Sequence, residues 1–383
     1  MDHDGPDPVS ANVVWRRLAG LERAQGDGRD VQGVNNLKDR LIAMIEASGP
    51  ISVAAYMDLC LHDRRHGYYA TRPGIGTDFI TAPETSQVFG ELVGLWAAHE
   101  WQQLGAPAQF SLIEIGPGRG TLMADALRAA QSVPGFLDAA RLHFVEPSPV
   151  LRDHLAKQFQ THAPAFLDDL GQSPTHQPVL ILANEWLDCL PVQQYVRAGN
   201  TWHERVVGLD ETGALAFGLQ DQTAPFEPDV PDEQSEIEFQ PGLKTVIAVA
   251  DEILTAARGR ALFIDYGETS IAPADTLRSY QQGEQVHPLA APGASDLTCD
   301  VDFGRLSRLA SASELSVHGP VSQSQFLLAL GAEARLNQLA KQHPMRADDL
   351  YDEVKRLVDP QAMGERFQAL CLSSPDLAAP AAF

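Results

Sequence analysis

The stretch Phe110-Ser-Leu-Ile-Glu-Ile-Gly-Pro-Gly-Arg-Gly-Thr-Leu-Met-Ala-Asp-Ala-Leu-Arg128 decides the fold. Leu112 to Ile115 is an apolar run of strand length, with an acid, Glu114, close to its end. Gly116, Gly118 and Gly120 follow at G-x-G-x-G spacing, and residues without a Cβ let the chain turn tightly and a ligand approach the backbone. From Thr121 the pattern is helical, with Leu122, Met123, Ala126 and Leu127 on one face. Strand, glycine turn and helix form the first unit of a doubly wound α/β sheet, whose ligands sit at the carboxyl ends of the strands. A dinucleotide fingerprint would need Gly or Ala where Thr121 stands.

Two further acids fit the same crevice. Leu142-His-Phe-Val-Glu146 reads as a second strand ending in a carboxylate, which can accept both hydroxyl protons of a ribose. Glu146 lies 146 − 116 = 30 positions after Gly116, further than the roughly 20 of a dinucleotide site. Asp168, in Phe166-Leu-Asp-Asp-Leu170, follows a short third strand and is placed to meet an adenine amino group or to serve as an ordinary turn carboxylate.

Val179-Leu-Ile-Leu-Ala183 is a fourth, buried strand, and Asn184-Glu-Trp-Leu-Asp188 follows at once. That end of the strand faces the ligand crevice in a doubly wound fold. A carboxylate can grip a guanidinium fork bidentately, which makes Glu185 the candidate substrate clamp, with Asn184 beside it. Asp188 either orders the surroundings of Glu185 or caps a helix starting there.

Composition narrows the function classes. The chain has 383 residues, enough for one large or two moderate domains, and 44% of them are hydrophobic, as in globular proteins. No apolar run approaches the roughly 20 residues of a membrane span, so no membrane insertion is expected. With 28 basic and 51 acidic residues the net charge is −23, a field that repels phosphate backbones, so nucleic acid is not an expected partner. Cys60, Cys189, Cys299 and Cys371 are scattered without a C-x-x-C pair, indicating neither zinc nor a disulfide framework. Met1-Asp-His-Asp-Gly-Pro-Asp7 is acidic and lacks the pattern of a secretory or Arg-rich transit leader, so a cytoplasmic location is the expectation.

The chain divides as a tail over 1–33, a helical part over 34–105 and a core over 106–383 that carries a β insertion at about 193–242. Helices are expected over Leu37–Ala47, from a Ser52 cap to Leu61, over Ser86–Leu104 and over Leu243–Ala257. Gln193 to Leu219 alternates as strands do, Asp221 to Gln240 reads as an acidic exposed connection, and Ala261–Gly267 is another core strand. Between the first helices, Gly67-Tyr-Tyr-Ala-Thr-Arg-Pro-Gly-Ile-Gly-Thr-Asp-Phe79 suits a lid. Tyr68, Asp78 and Glu84 would close it over a ligand, with Gly74 and Gly76 as hinges. Near the C-terminus, Leu315–His318 and Phe367–Leu372 read as strands, and Ser322 with Gln325 has capping-box spacing.

The glycine turn resembles motif I of class I S-adenosylmethionine-dependent methyltransferases, and Asn184-Glu-Trp-Leu187 resembles the substrate-clamping segment of protein arginine methyltransferases. Beyond these, the chain resembles the MidA family, methyltransferases that act as assembly factors for respiratory complex I. The matching blocks include Gly67–Tyr69, Asp78–Leu92, Glu114–Arg128, Asn184–Val192, Ile264–Gly267, Thr276–Tyr280, Asp296–Thr298 with Val301–Phe303, and Gly319–Phe326. The resemblance implies a Rossmann-like class I fold with a helical N-terminal part and an inserted subdomain. It implies S-adenosylmethionine as cofactor, held by Glu114, Gly116, Gly118, Gly120, Glu146 and Asp168 with Tyr68 and Asp78. It also implies symmetric dimethylation of an arginine on a core subunit of complex I. The residues themselves leave open another methyl acceptor, or an assembly chaperone that binds the donor without turnover. Cys299-Asp300 stands where Ala-His is frequent in the family.

Overall fold

The computed structural model describes residues 36–71, 80–226, 230–231, 234–269 and 275–383. The expected tail over 1–33 and the lid residues Gly74, Gly76 and Asp78 lie outside them. The chain forms two compact units, and they are described separately.

The larger unit is built on one eight-stranded sheet. In chain order its strands are β1 (Phe110–Ile115), β2 (Ala140–Val145), β3 (Ala165–Leu167), β4 (Val179–Asn184), β5 (Gly259–Glu268), β6 (Val301–Asp302), β7 (Ser316–Ser322) and β8 (Phe367–Ser373). They lie in the order β7-β8-β5-β4-β1-β2-β3, with β6 also pairing with β5. The strands β1 to β6 pair in parallel, whereas β8 runs antiparallel to β5 and β7 antiparallel to β8. Every residue of β1 is buried, as a parallel strand covered on both faces requires. This is a mostly parallel, Rossmann-like arrangement, and the doubly wound reading of the glycine segment holds. Ser322 accepts from the Gln325 N–H while the Gln325 side chain returns to the Ser322 N–H, so the expected capping box forms.

Two helices, Gln87–Gln103 and Thr121–Ala130, cover one face of this sheet and approach each other closely. Gly90 and Gly94 make that approach possible. A Cβ on Gly94 would lie 2.3 Å from the Ala126 carbonyl oxygen, and one on Gly90 would lie 2.6 Å from Asp125 Cβ. The first of these obstacles is backbone and cannot rotate away. Gly94→Ala should therefore force the helices apart and cost about 1–3 kcal/mol, as overpacking does. Urea unfolding curves check this, and an unchanged midpoint would show that the helices yield freely.

The smaller unit comprises the described residues of 36–71, 189–246 and 275–299. Its helices Leu37–Ser48 and Val53–His62 are capped by Asn36 and Ser52, whose side chains accept the N–H groups of Asp39 and Ala55. An antiparallel sheet runs in the order Ile51–Ser52, Thr201–Leu209, Gln193–Ala198, Glu236–Phe239, and Leu215–Thr223 also pairs with Thr201–Leu209. A three-stranded sheet is formed by Glu284–Val286, Arg278–Gln281 and Asp296–Thr298. The helical N-terminal residues and the β insertion thus share one sheet.

The segment expected as an exposed acidic connection contains a strand, Glu236–Phe239. Its acid Glu238 is buried and accepts from the Thr276 N–H at 2.9 Å and the Gln194 side chain at 2.7 Å. Phe239 stacks on Tyr195 at 5.7 Å. Partners remote in sequence satisfy the buried acid, so local composition misreports its burial.

Candidate active site

Parallel pairing aligns the functional residues at one edge of the large sheet. Glu114 is level with Leu182 of β4, and Ile264 of β5 with Asn184. The chain leaving β1 turns through Gly116, Gly118 and Gly120 at φ of 62°, 52° and 76°. All three lie in the left-handed region that glycine enters at no steric cost. The Gly116 N–H donates to the Val145 carbonyl at 3.1 Å, and the Gly120 N–H closes the turn on Pro117 at 2.7 Å. A Cβ on Gly116 would meet Trp186 at 3.0 Å, and one on Gly120 would meet Phe159 and Leu155 within 2.8 Å. The segment after β4 therefore packs directly on the glycine turn.

Glu114 is 3% exposed, and its Oε2 has no hydrogen-bond partner. Burial pushes its carboxyl up to about 8. A buried acid with one oxygen unpartnered beside a glycine turn is a costly arrangement, which a ligand carrying donors would relieve. Glu146 follows β2, is 5% exposed, and accepts the Ser148 N–H at 2.7 Å. Burial raises it to about 7, against the pull of that N–H and of Arg152.

Arg152 was not singled out by the sequence reading, yet it ties the ends of β2 and β3 together. It donates to the carbonyls of Glu146 and Leu167 and, at 2.6 Å, to Asp168. The Asp168 side chain is 70% exposed, and in this structure it pairs with that guanidinium. Tyr68 opens a single helical turn, Tyr68–Thr71, in the smaller unit. Its ring is buried in an apolar cluster with Leu37, Leu41 and Tyr56. Glu84 sits in the short helix Ala82–Thr85 and faces Arg119 of the glycine turn at 3.8 Å. Burial raises its carboxyl and Arg119 opposes the rise.

Glu185 has φ +50°, a left-handed backbone that a glutamate rarely adopts and that composition does not announce. Its Oε1 accepts the Ala82 N–H at 2.8 Å and the Asn184 side-chain amide at 3.0 Å. The Asn184 Oδ1 is buried without a partner. Glu185 itself is partly exposed, but its carboxyl is densely surrounded. Burial first, then the nearby Asp188 and Glu84, push it up to about 7 against the two donors. Among the described residues no cation pairs with it. Asp188 is buried and accepts the hydroxyl proton of Tyr266.

Residues 92–321 match the model of a family of S-adenosyl-L-methionine-dependent methyltransferases. The chain belongs to this family. Mouse and rat proteins named protein arginine methyltransferase NDUFAF7, mitochondrial, are 36% and 34% identical to it. The alignments cover 87% and 94% of this chain and 83% and 88% of those proteins, respectively. A crystal structure from Burkholderia thailandensis, bound to S-adenosyl-homocysteine, superposes with a TM-score of 0.74 at 25% identity, covering 100% of this chain and 97% of that one.

The protein is a methyltransferase, and its cofactor is S-adenosylmethionine. The residues fit this donor: Glu114 offers a buried, unsatisfied oxygen, three glycines turn the chain tightly beside it, and Glu146 is a buried carboxylate that could accept the hydroxyl protons of a ribose. One expectation is corrected. Cytoplasm does not stand as the location, because the curated relatives are named as mitochondrial proteins. That expectation had rested on the composition of a few residues, which is set apart from the chemistry of the folded domain.

Glu146→Ala should weaken donor binding by roughly 1–3 kcal/mol, the usual result of leaving buried polar groups unpaired. Calorimetric titration with S-adenosyl-homocysteine measures it. An unchanged affinity would remove Glu146 from the donor site.

Proposed function

We propose that this methyltransferase acts on arginine side chains of proteins, and that its substrate is a core subunit of respiratory complex I, dimethylated symmetrically during assembly. Glu185 carries the reading. A carboxyl group with acidic neighbours and, among the described residues, no cationic partner, fixed by two hydrogen bonds beside the glycine turn, is suited to a planar guanidinium. The relatives named as protein arginine methyltransferases support the same acceptor, and the resemblance of the sequence blocks to a family of complex I assembly factors supports the protein substrate.

Bound donor supplies an electrophilic methyl group on a positively charged sulfur. Glu185 would hold two guanidinium N–H groups and draw positive charge toward itself, leaving more electron density on the nitrogen that attacks. Asn184 and the Ala82 N–H orient that carboxylate. The new N–C bond would form as the S–C bond breaks, S-adenosyl-homocysteine would leave with the bonding pair on sulfur, and the proton released from the attacking nitrogen would pass to solvent. Asp188 and Glu84 add negative potential that favours a cation at this spot.

The acid limb of the pH–rate profile follows with a definite sign. Only ionised Glu185 can clamp a cation, and its carboxyl titrates near about 7 in the free protein. The ratio kcat/KM should therefore fall as pH drops through about 7. A bound guanidinium stabilises the carboxylate, so the limb in kcat should lie at lower pH. A kcat/KM profile flat from pH 6 to 8 would oppose the clamp. The function itself is tested by tritium transfer from labelled donor into a lysate of a strain deleted for this gene, resolved by size. Label on one protein band, recovered as dimethylarginine, supports the reading, and label confined to small molecules overturns it.

A further inference from the structure

In the segment Ile264-Asp-Tyr-Gly267, at the end of β5, the acid Asp265 has had no part in the site as described so far. Asp265 is completely buried. Its Oδ2 accepts three consecutive backbone N–H groups, those of Trp186, Leu187 and Asp188, at 3.0, 2.8 and 3.2 Å. Its Oδ1 accepts the Tyr266 N–H at 2.9 Å. The Glu185 N–H donates to the Ile264 carbonyl at 2.9 Å, so the chain is pinned on both sides of the left-handed residue. The Tyr266 hydroxyl reaches across to Asp188. A short turn, Leu187–Cys189, begins here, and its first N–H groups have no intrahelical acceptors.

We propose that Asp265 is the positioning residue of the active site: by gathering the N–H groups of residues 186–188 it holds Glu185 in its left-handed conformation and so aims the carboxylate. The backbone at Glu185 is unfavourable for a side chain with a Cβ and persists only where its surroundings over-determine it. Asp265 supplies that constraint at short range from a neighbouring strand. The same contacts place Trp186 against Gly116, so one buried acid sets the spacing between the donor turn and Glu185. This inference rests on the reading of Glu185 as the substrate clamp.

Asp265→Ala is the direct test, with Asp265→Asn as the companion should the alanine variant not fold. Amide exchange at residues 186–188 should become at least about tenfold faster in the folded variant, because local opening follows the loss of its acceptors. Methyl transfer should fall by about ten- to a hundredfold, the scale of a misplaced catalytic group. Affinity for S-adenosyl-homocysteine should stay within about threefold of wild type, since Glu114 and Glu146 are untouched. Combined with Glu185→Gln, the Asp265 substitution should add little further loss, as expected for residues acting through one another. Unchanged exchange at 186–188, or rate losses that multiply, would overturn the proposal. A full rate in Glu185→Gln alone would overturn the clamp reading, while the exchange measurement would still decide whether Asp265 holds the turn.

Discussion

Glu185→Gln is expected to lower methyl transfer by about a hundredfold or more while donor affinity stays near normal. The substitution keeps shape and an acceptor oxygen for the Ala82 N–H and removes only the charge. A neutral amide cannot draw positive charge from a guanidinium, so the transition state loses roughly 2.7 kcal/mol or more, the range for deleting one electrostatic stabiliser. The variant should not be less stable. Its carboxyl is buried, raised to about 7 and flanked by acids, so neutralising it removes a desolvated charge. Single-turnover rate, donor titration and thermal unfolding on one preparation separate the cases. A purely structural Glu185 would lose stability and keep its rate. A rate within about threefold of wild type would be too small a change for a transition-state contact and would remove the main local support for arginine as acceptor.

Gly118→Val should abolish measurable donor binding. Gly118 has φ +52°, where a β-branched residue is a steric outlier. The turn must then either rearrange or carry two methyl groups on the backbone proposed to receive the donor. Gly116 and Gly120 would be poorer tests. Added side chains there collide with Trp186, Phe159 and Leu155, so lost binding could reflect lost packing. Calorimetric titration with S-adenosyl-homocysteine, alongside a thermal melt to show a folded protein, gives the answer. Wild-type affinity in a folded Gly118→Val protein would mean that the donor does not lie against this turn.

The family departure at Cys299-Asp300 acquires a physical reading. Asp300 forms a two-pronged ion pair with Arg366, both contacts at 2.6 Å, and that guanidinium lies over the Tyr266 ring at 5.6 Å. The acid thus supports the strand end that carries Asp265 and Tyr266. Cys299 is fully buried in the smaller unit, where the thiol replaces a small apolar side chain.

Local signals carried much of this protein. The run Leu112–Ile115 with its three glycines gave strand, turn and helix, because apolar periodicity and missing Cβ atoms act over a few residues. Ser52, Ser86 and Ser322 marked helix starts for the same reason, since a cap is a contact between near neighbours. Candidate acids at strand ends were legible once parallel strands were assumed, and Glu114, Glu146 and Asn184–Glu185 do share one sheet edge.

Other features depend on contacts that no local pattern records. The sequence placed Asp265 in a strand without a role, and only the pairing of β5 with β4 brings it under the N–H groups of Trp186, Leu187 and Asp188. The strand Glu236–Phe239 looked too acidic to be one, because Gln194 and Thr276, which satisfy Glu238, are remote in the chain. The left-handed backbone at Glu185 is likewise invisible in a residue type that normally avoids it. Sequence by itself determined the fold class and which acids were available, through short-range sterics and periodicity. The tertiary structure alone decided which acid is unpaired, which is spent on a neighbour and which holds another in place. Burial and hydrogen-bond satisfaction are properties of the packed chain, where desolvation makes each unpartnered carboxyl costly and therefore specific in its partner.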